Sequence, residues 1–191
     1  MDISEIKAAL RSEIRAKRRA LTDSERTDSS GKVAERLLDI PEIAKAECVL
    51  AYMPMKFELD ILPAVRRLRE MGKRIAYPLC IENGGLRLFV PPEKDGFKTG
   101  MYGILEPNAE TSEEIDPNDL DAIILPAIGF DRELNRLGQG GGYYDRLLTK
   151  TDCFNVAVGF DCQLVDKVPV EETDRRIDAA VTPGETVRHF S

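Results

Sequence analysis

Along the first twenty positions two stripes run side by side. Ile3, Ile6, Leu10 and Ile14 recur three and four apart, which predicts an amphipathic helix from Ile3 to about Leu21 with these residues inward. Lys7, Arg11, Arg15 and Arg18 make a second, basic stripe on it. A further helix is expected from Asp23, a plausible N-cap, to Leu38, weakened in the middle by Ser29, Ser30 and Gly31 and closed off by Pro41. The pattern then shortens. CVLAYMP and RIAYPLC are compact apolar runs on either side of ILPAVRRLREMG, whose spacing is helical, so residues 48 to 80 read as strand, helix, strand. DAIILPAIGF, a glycine segment, YYDRLLTK and NVAVGF repeat that order. Two such units predict an α/β fold with a mainly parallel sheet and flanking helices. The stretch between them, from Leu86 to Asp119, is rich in proline, glycine and acid, and reads as an ordered excursion because Phe89, Phe97, Tyr102, Ile104 and Leu105 need burial.

Composition narrows the function classes. The 191 residues suit one domain over 1–191, and the net charge of -7 argues against a general nucleic-acid coat while leaving room for a local basic patch. Four cysteines without a CxxC pair and a single histidine, His189, in a tail expected to be exposed, give no zinc pattern. The N-terminus lacks the apolar core of a secretory signal, and no apolar run approaches the ~20 residues that span a bilayer. A soluble cytoplasmic protein with free thiols and no membrane partner is expected.

The candidate chemistry lies in NRLGQGGGYYDRLL, residues 135 to 148. Gly138, Gly140, Gly141 and Gly142 stand where a strand is expected to give way to a helix, a place where backbone N–H groups converge and an anion can come close. Arg136 and Arg146 flank them as forked, permanently charged donors for phosphate, and Asp145 suits magnesium. Neither GxxxxGK[ST] nor GxGxxG is present. On residue types alone two readings stay open: an anion site, or a tight connection in which Tyr143 and Tyr144 simply pack while Lys7 and Arg11 sit on a solvated face.

KAALRSEIRAKRRAL, MKFELD, MYGILEP, LPAIGFDRELNRLGQGGGYYDRLL and VPVEETDRRIDAAVT, taken in order, resemble the 5-formyltetrahydrofolate cyclo-ligase (methenyltetrahydrofolate synthetase) family over nearly the whole chain. The resemblance implies a fold similar to ribose-5-phosphate isomerases and CoA transferases. It also implies ATP- and magnesium-dependent cyclisation of 5-formyltetrahydrofolate, polyglutamylated or not, by a monomer or weak dimer without a covalent enzyme intermediate. ATP would be held by Lys7, Arg11 and the run Arg136, Leu137, Gly138, Gln139, Gly140, Gly141, Gly142, Tyr143 and Tyr144. Asp145 and Asp174 would hold Mg2+, with Asp178 structural. Met53, Glu58, Gly140, Gly142, Tyr143 and Tyr144 would border the folate, and Arg136, Tyr144 and Asp145 would be catalytic. Thr173 and Pro183 depart from the family pattern, which often has histidine and glutamate there. Two other readings compete: a nucleotide-binding regulator that has lost folate chemistry, and a sugar-phosphate isomerase on a similar fold.

Overall fold

A computed structural model of the chain describes residues 2–81, 84–100 and 103–188, so Tyr102 and His189 lie outside the described residues. Helix α1 spans Ile3–Ala20 and opens on a capping box in which Asp2 accepts from Ser4 N and the Glu5 carboxylate takes the N–H of Asp2. Its inward face differs from the apolar stripe. Lys7, Ile14 and Arg18 are buried, whereas Ile6 is 41 % exposed. Helix α2, Asp23–Leu38, is capped by Thr22 rather than Asp23, with Glu25 closing the box. It runs unbroken through Ser29 and Ser30, whose hydroxyls donate to the carbonyls of Glu25 and Arg26, four residues back. Pro41 does not end the region but starts a short helix α3, Pro41–Lys45, at the position where its missing N–H costs nothing.

Strand β1, Cys48–Leu50, helix α4, Leu62–Glu70, and strand β2, Arg74–Cys80, form the first strand–helix–strand unit, with Gly72 at φ 81° turning the chain after the helix. The excursion holds β3 (Leu86–Val90), the small ribbon β4 (Phe97–Thr99) and β5 (Leu105–Pro107), and β6 (Glu113–Ile115). Phe89 is buried there and Phe97 and Ile104 are half-buried, but Leu105 is exposed. Then come β7 (Ala122–Pro126), a hairpin of β8 (Gly129–Phe130) and β9 (Arg136–Leu137), helix α5 (Tyr143–Leu147), β10 (Phe154–Val158), β11 (Ala179–Val181) and β12 (Thr186–Arg188).

The main sheet has the order β12-β11-β10-β7-β1-β2-β3-β6. Its centre, from β11 to β2, is parallel, and antiparallel strands close both edges. Alternate residues of the central strands face opposite ways, and both faces are dry. Val49, Ile124, Val156 and Val181 meet Leu37, Ile43, Val65 and Leu68 of α2, α3 and α4. Leu50, Ile123, Leu125 and Ala180 meet Phe130, Leu134, Leu147 and Ile177 on the other side. Helix α1 joins neither cluster. Its Ile14 packs with Ile128, Leu137 and Val168 against the β8–β9 hairpin, so closely that a methyl on Gly129 would stand 2.7 Å from Ile14 Cδ1.

Candidate active site

The glycine segment does not follow a sheet strand directly, as the sequence pattern suggests. The β8–β9 hairpin intervenes, so Arg136 and Leu137 are strand residues with fixed directions. Asp131 holds the hairpin's turn. Its buried carboxylate accepts from the backbone N–H groups of Glu133 and Asn135 at 3.0 Å each, from Asn135 Nδ2 at 3.0 Å and from Val168 N at 2.8 Å. That turn forces Leu134 to φ 65°, a conformation a branched side chain rarely takes, and the hydrogen bonds of Asp131 offset the strain. No pattern in the sequence singles out Asp131; only its place in a tight FDRELNR turn hints at it.

Arg136 points inward from β9. Its Nη2 lies 3.1 Å from Asp145 Oδ1, its Nη1 donates to Pro126 O at 3.3 Å, and the guanidinium stands 5.8 Å from the Tyr144 ring centre. Its buried Nε has no partner among the described residues. Gly138 makes room for it, since a Cβ there would come within 2.9 Å of Nη1. The glycine turn then bends over α5, with Gly140 at φ 108° and Gly142 at φ 66°. Helix α5 has only five residues, so charged side chains rather than a helix end supply the positive field.

Helix α1 brings Lys7 and Arg11 to this place from the far end of the chain. Arg11 Nε donates to Gly138 O at 2.9 Å. Lys7 Nζ lies 2.6 Å from Glu171 and 2.5 Å from Asp174. Burial works to lower the Lys7 pKa, but the hydrogen bonds from Asp174 and Glu171 outweigh it, and the pKa is raised from its usual 10.5. Lys7 is therefore charged across the physiological range. These groups line one cavity of about 700 Å³. Asp145, Asp174, Gln139, Tyr143 and Tyr144 border the same space. Burial holds the Tyr144 phenol protonated far above its usual range, although the nearby Arg136 pulls the other way.

Three placements differ from the expectation. Arg146 lines the cavity, but its guanidinium is committed to the carbonyls of Gly84, at 2.9 and 2.6 Å, and Gly141, at 2.7 Å. It clasps the β2–β3 turn to the glycine turn instead of waiting for phosphate. Arg146→Ala should raise the KM of whatever the cavity binds about threefold to tenfold with a smaller change in kcat, which steady-state kinetics would read. Met53 and Glu58 do not line the cavity. Glu58 touches its rim through Gln139, whose Nε2 donates to Glu58 Oε1 at 3.1 Å, while Met55 N donates to the other oxygen at 3.0 Å. Met53, half-buried, packs against the core below. Asp178 faces away and receives Asn155 N and Nδ2. Missing from the sequence reading are Pro78, Cys80 and Leu86, the apolar wall that β2 and β3 lend to the cavity. The β2–β3 hairpin, in which Cys80 pairs with Leu86, brings them there.

The donor set fits a hard cation: Asp145 and Asp174 offer oxygens. Among the described residues no group of three or more histidine, cysteine or acidic side chains forms a preassembled metal site. Two carboxylates suit magnesium that keeps waters and shares phosphate oxygens. No helix among the described residues is long and apolar enough to cross a membrane.

Comparison with known proteins gives the chain a family and a fold. The model of the 5-formyltetrahydrofolate cyclo-ligase family matches residues 3–183. The chain is 33 % identical over 176 residues to the 5-formyltetrahydrofolate cyclo-ligase of Escherichia coli K12, covering 90 % of this chain and 97 % of that one. It is 26 % identical over 188 residues to the mouse enzyme of the same name, covering 92 % and 93 %. The NMR structure of Aquifex aeolicus 5,10-methenyltetrahydrofolate synthetase superposes with a TM-score of 0.85 at 33 % identity, covering 96 % of this chain and 92 % of that one. The Mycoplasma pneumoniae 5,10-methenyltetrahydrofolate synthetase, at 23 % identity and a TM-score of 0.76 over 96 % and 99 %, shares the fold. With a family model spanning nearly every described residue and a glycine turn gathered against basic and acidic side chains, the chain belongs to the 5-formyltetrahydrofolate cyclo-ligase family and is an enzyme of that kind.

Proposed function

We propose that the chain, working as one catalytic domain over residues 1–191 in the cytoplasm, converts 5-formyltetrahydrofolate to 5,10-methenyltetrahydrofolate with magnesium and ATP, releasing ADP and phosphate. The observation that carries the reading is the gathering, in one cavity, of Lys7 and Arg11 from α1 with Arg136, Asp145 and Asp174 from the opposite end of the chain. Cations for phosphate beside carboxylates for a divalent metal are what phosphoryl transfer needs, and a folate rearrangement by proton transfer alone needs neither.

A formamide carbonyl is a poor electrophile because its nitrogen donates into it. Transfer of the γ-phosphoryl group to the formyl oxygen leaves an iminium phosphate, whose carbon is open to attack by N10; loss of the N10 proton and departure of phosphate close the methenyl bridge. The side chains position and neutralise. Arg136, forked and buried, holds the transferring phosphoryl oxygens, with Lys7 and Arg11 on the neighbouring phosphates. Tyr144, kept protonated by burial, donates its hydroxyl to the phosphoryl or formyl oxygen. Asp145 and Asp174 would hold magnesium, which when bound spreads the charge of the triphosphate. The β2–β3 wall keeps water from the phosphorylated carbon. Glu58, at the rim beside Gln139, would exchange its bonds to Gln139 Nε2 and Met55 N for the adjacent N–H donors of the pterin, with Met53 packed below that rim.

Purified protein with 5-formyltetrahydrofolate, magnesium and ATP should produce the near-ultraviolet absorbance of the methenyl product, and none without ATP. ATP binding without product would move the assignment to a nucleotide-binding regulator. Glu58→Gln should raise the KM for folate about tenfold to a hundredfold while leaving the KM for ATP within about threefold, since one oxygen of the carboxylate pair becomes a donor facing donors. Equal effects on both substrates would remove Glu58 from the folate side.

A further inference from the structure

The acids and bases of the cavity are already spoken for by one another. Lys7 Nζ lies 2.5 Å from Asp174 Oδ2 and 2.6 Å from Glu171 Oε2, and Arg136 Nη2 lies 3.1 Å from Asp145 Oδ1. Each carboxylate assigned above to magnesium thus carries a cation assigned above to phosphate. Lys7 is only 5 % exposed, so little water replaces either partner. The Asp174 carboxylate does not depend on Lys7 for its position. Glu171 N donates to Asp174 Oδ2 at 2.8 Å and Asp174 N to Glu171 O at 3.0 Å, so one short turn fixes the Asp174 carboxylate and sets the backbone that carries Glu171 beside it. Glu171 appears in no part of the expected site, yet it makes half of the lysine's contacts.

We propose, on the reading of this cavity as a site for ATP and a divalent cation, that Lys7 stands in for the metal on Asp174 and Glu171 in the free enzyme and is exchanged when nucleotide and metal enter together. The ammonium swings to phosphate oxygens, and the vacated carboxylates take the divalent ion. Arg136 and Asp145 part in the same way. Glu171 is a positioning residue in this exchange, holding Lys7 off the phosphate position until an anion competes for it.

The exchange has a thermodynamic signature. A metal ion arriving alone meets carboxylates that a buried ammonium already neutralises. Metal-free nucleotide arriving alone must draw Lys7 from two acids and leave them unpaired. Together they leave no charge without a partner, so each strengthens the binding of the other beyond their association in solution.

The full-length protein and Lys7→Gln are titrated with Mn2+ alone, following the paramagnetic resonance of the free ion, and with ATP in EDTA by calorimetry. The unaltered protein should take up Mn2+ only when ATP is present. Lys7→Gln, although poorer with ATP, should gain affinity for Mn2+ without nucleotide by at least about tenfold, because a positive charge has left Asp174, which the turn still holds, and its neighbour Glu171. Adding Asp174→Asn to Lys7→Gln should remove the gain. Glu171→Gln, a change on a half-exposed side chain, should raise the affinity for ATP in EDTA about threefold to tenfold, and it decides the matter if Lys7→Gln does not fold. A folded Lys7→Gln that gains no Mn2+ affinity overturns the exchange, as does Glu171→Gln with unchanged affinity for metal-free ATP. ATP-dependent ring closure by the unaltered protein, assayed in the same preparation, separates the two failures. If it is present the exchange alone is wrong, and if ATP neither binds nor reacts the function reading falls with it.

Discussion

Arg136→Ala is expected to lower kcat/KM for ATP by about 10²–10³, the cost of removing a preorganised donor aimed at developing phosphoryl charge, while folate binding changes little. The size follows from what the side chain has to itself. It is 7 % exposed, fixed on a two-residue strand, and ends in a fork of which one arm faces Asp145. Truncation leaves Asp145 without its counter-charge and opens the space beneath the glycine turn. Arg136→Lys should recover only a small part of the loss, because a single ammonium cannot reproduce the fork at Asp145 and Pro126. Steady-state kinetics with each substrate varied in turn separate the outcomes. An equal fall toward ATP and folate would make Arg136 a support for the cavity wall and no more.

The largest effect on stability is expected far less visibly, at Asp131. Asp131→Ala should destabilise the fold by about 3–5 kcal/mol, since it strands two backbone N–H groups and an amide in the interior, each a desolvated donor worth about 1–3 kcal/mol when left unmade, while the Glu133 N–H can turn to water. The backbone N–H groups of Asn135 and Val168 and the side chain of Asn135 are the stranded donors. Asp131→Asn should lie between, because an amide still accepts through one oxygen but presents its own hydrogens to donors. Denaturant midpoints measure this directly. Activity should fall further than the folded fraction does, because the turn that Asp131 holds sets the direction of Arg136. Near-native stability in Asp131→Ala would mean that water replaces the carboxylate.

Much of the architecture was legible in hydrophobic spacing. Both strand–helix–strand units and the parallel pairing of their strands follow from short apolar runs separated by helical ones, because a strand buried on both faces cannot afford polar alternation. The outer strands were less so, since β12 folds back on β11 and β3 on β2 through short turns of little apolar signal, and β6 pairs with β3 only across the whole excursion. At α1 the spacing misled in a specific way. Ile6 shares the apolar stripe yet faces solvent, while Lys7 and Arg18 turn inward, because the helix packs on a hairpin that lines a charged cavity and not on the sheet. The glycine turn announced itself through its composition. Asp131, Glu171 and the clasp of Arg146 did not, since their importance lies in partners distant in the chain or in hydrogen bonds that any aspartate or arginine might have lacked.

The anchorage of α1 has one more consequence. Ile14, set against Gly129 and packed with Ile128, Leu137 and Val168, is its only fully buried apolar side chain, and that cluster is separate from both faces of the sheet. A helix whose buried anchors apart from that one side chain are polar opens without melting what lies beneath, so its amide hydrogens should exchange with solvent deuterium well before those of β7 and β10. Two of the cavity's cations, Lys7 and Arg11, ride on that segment. Ligand that ties Lys7 and Arg11 to the rest of the cavity should therefore slow exchange along α1 while leaving the central strands at the rate set by global unfolding, and the N-terminal arm becomes the part of the molecule that reports occupancy.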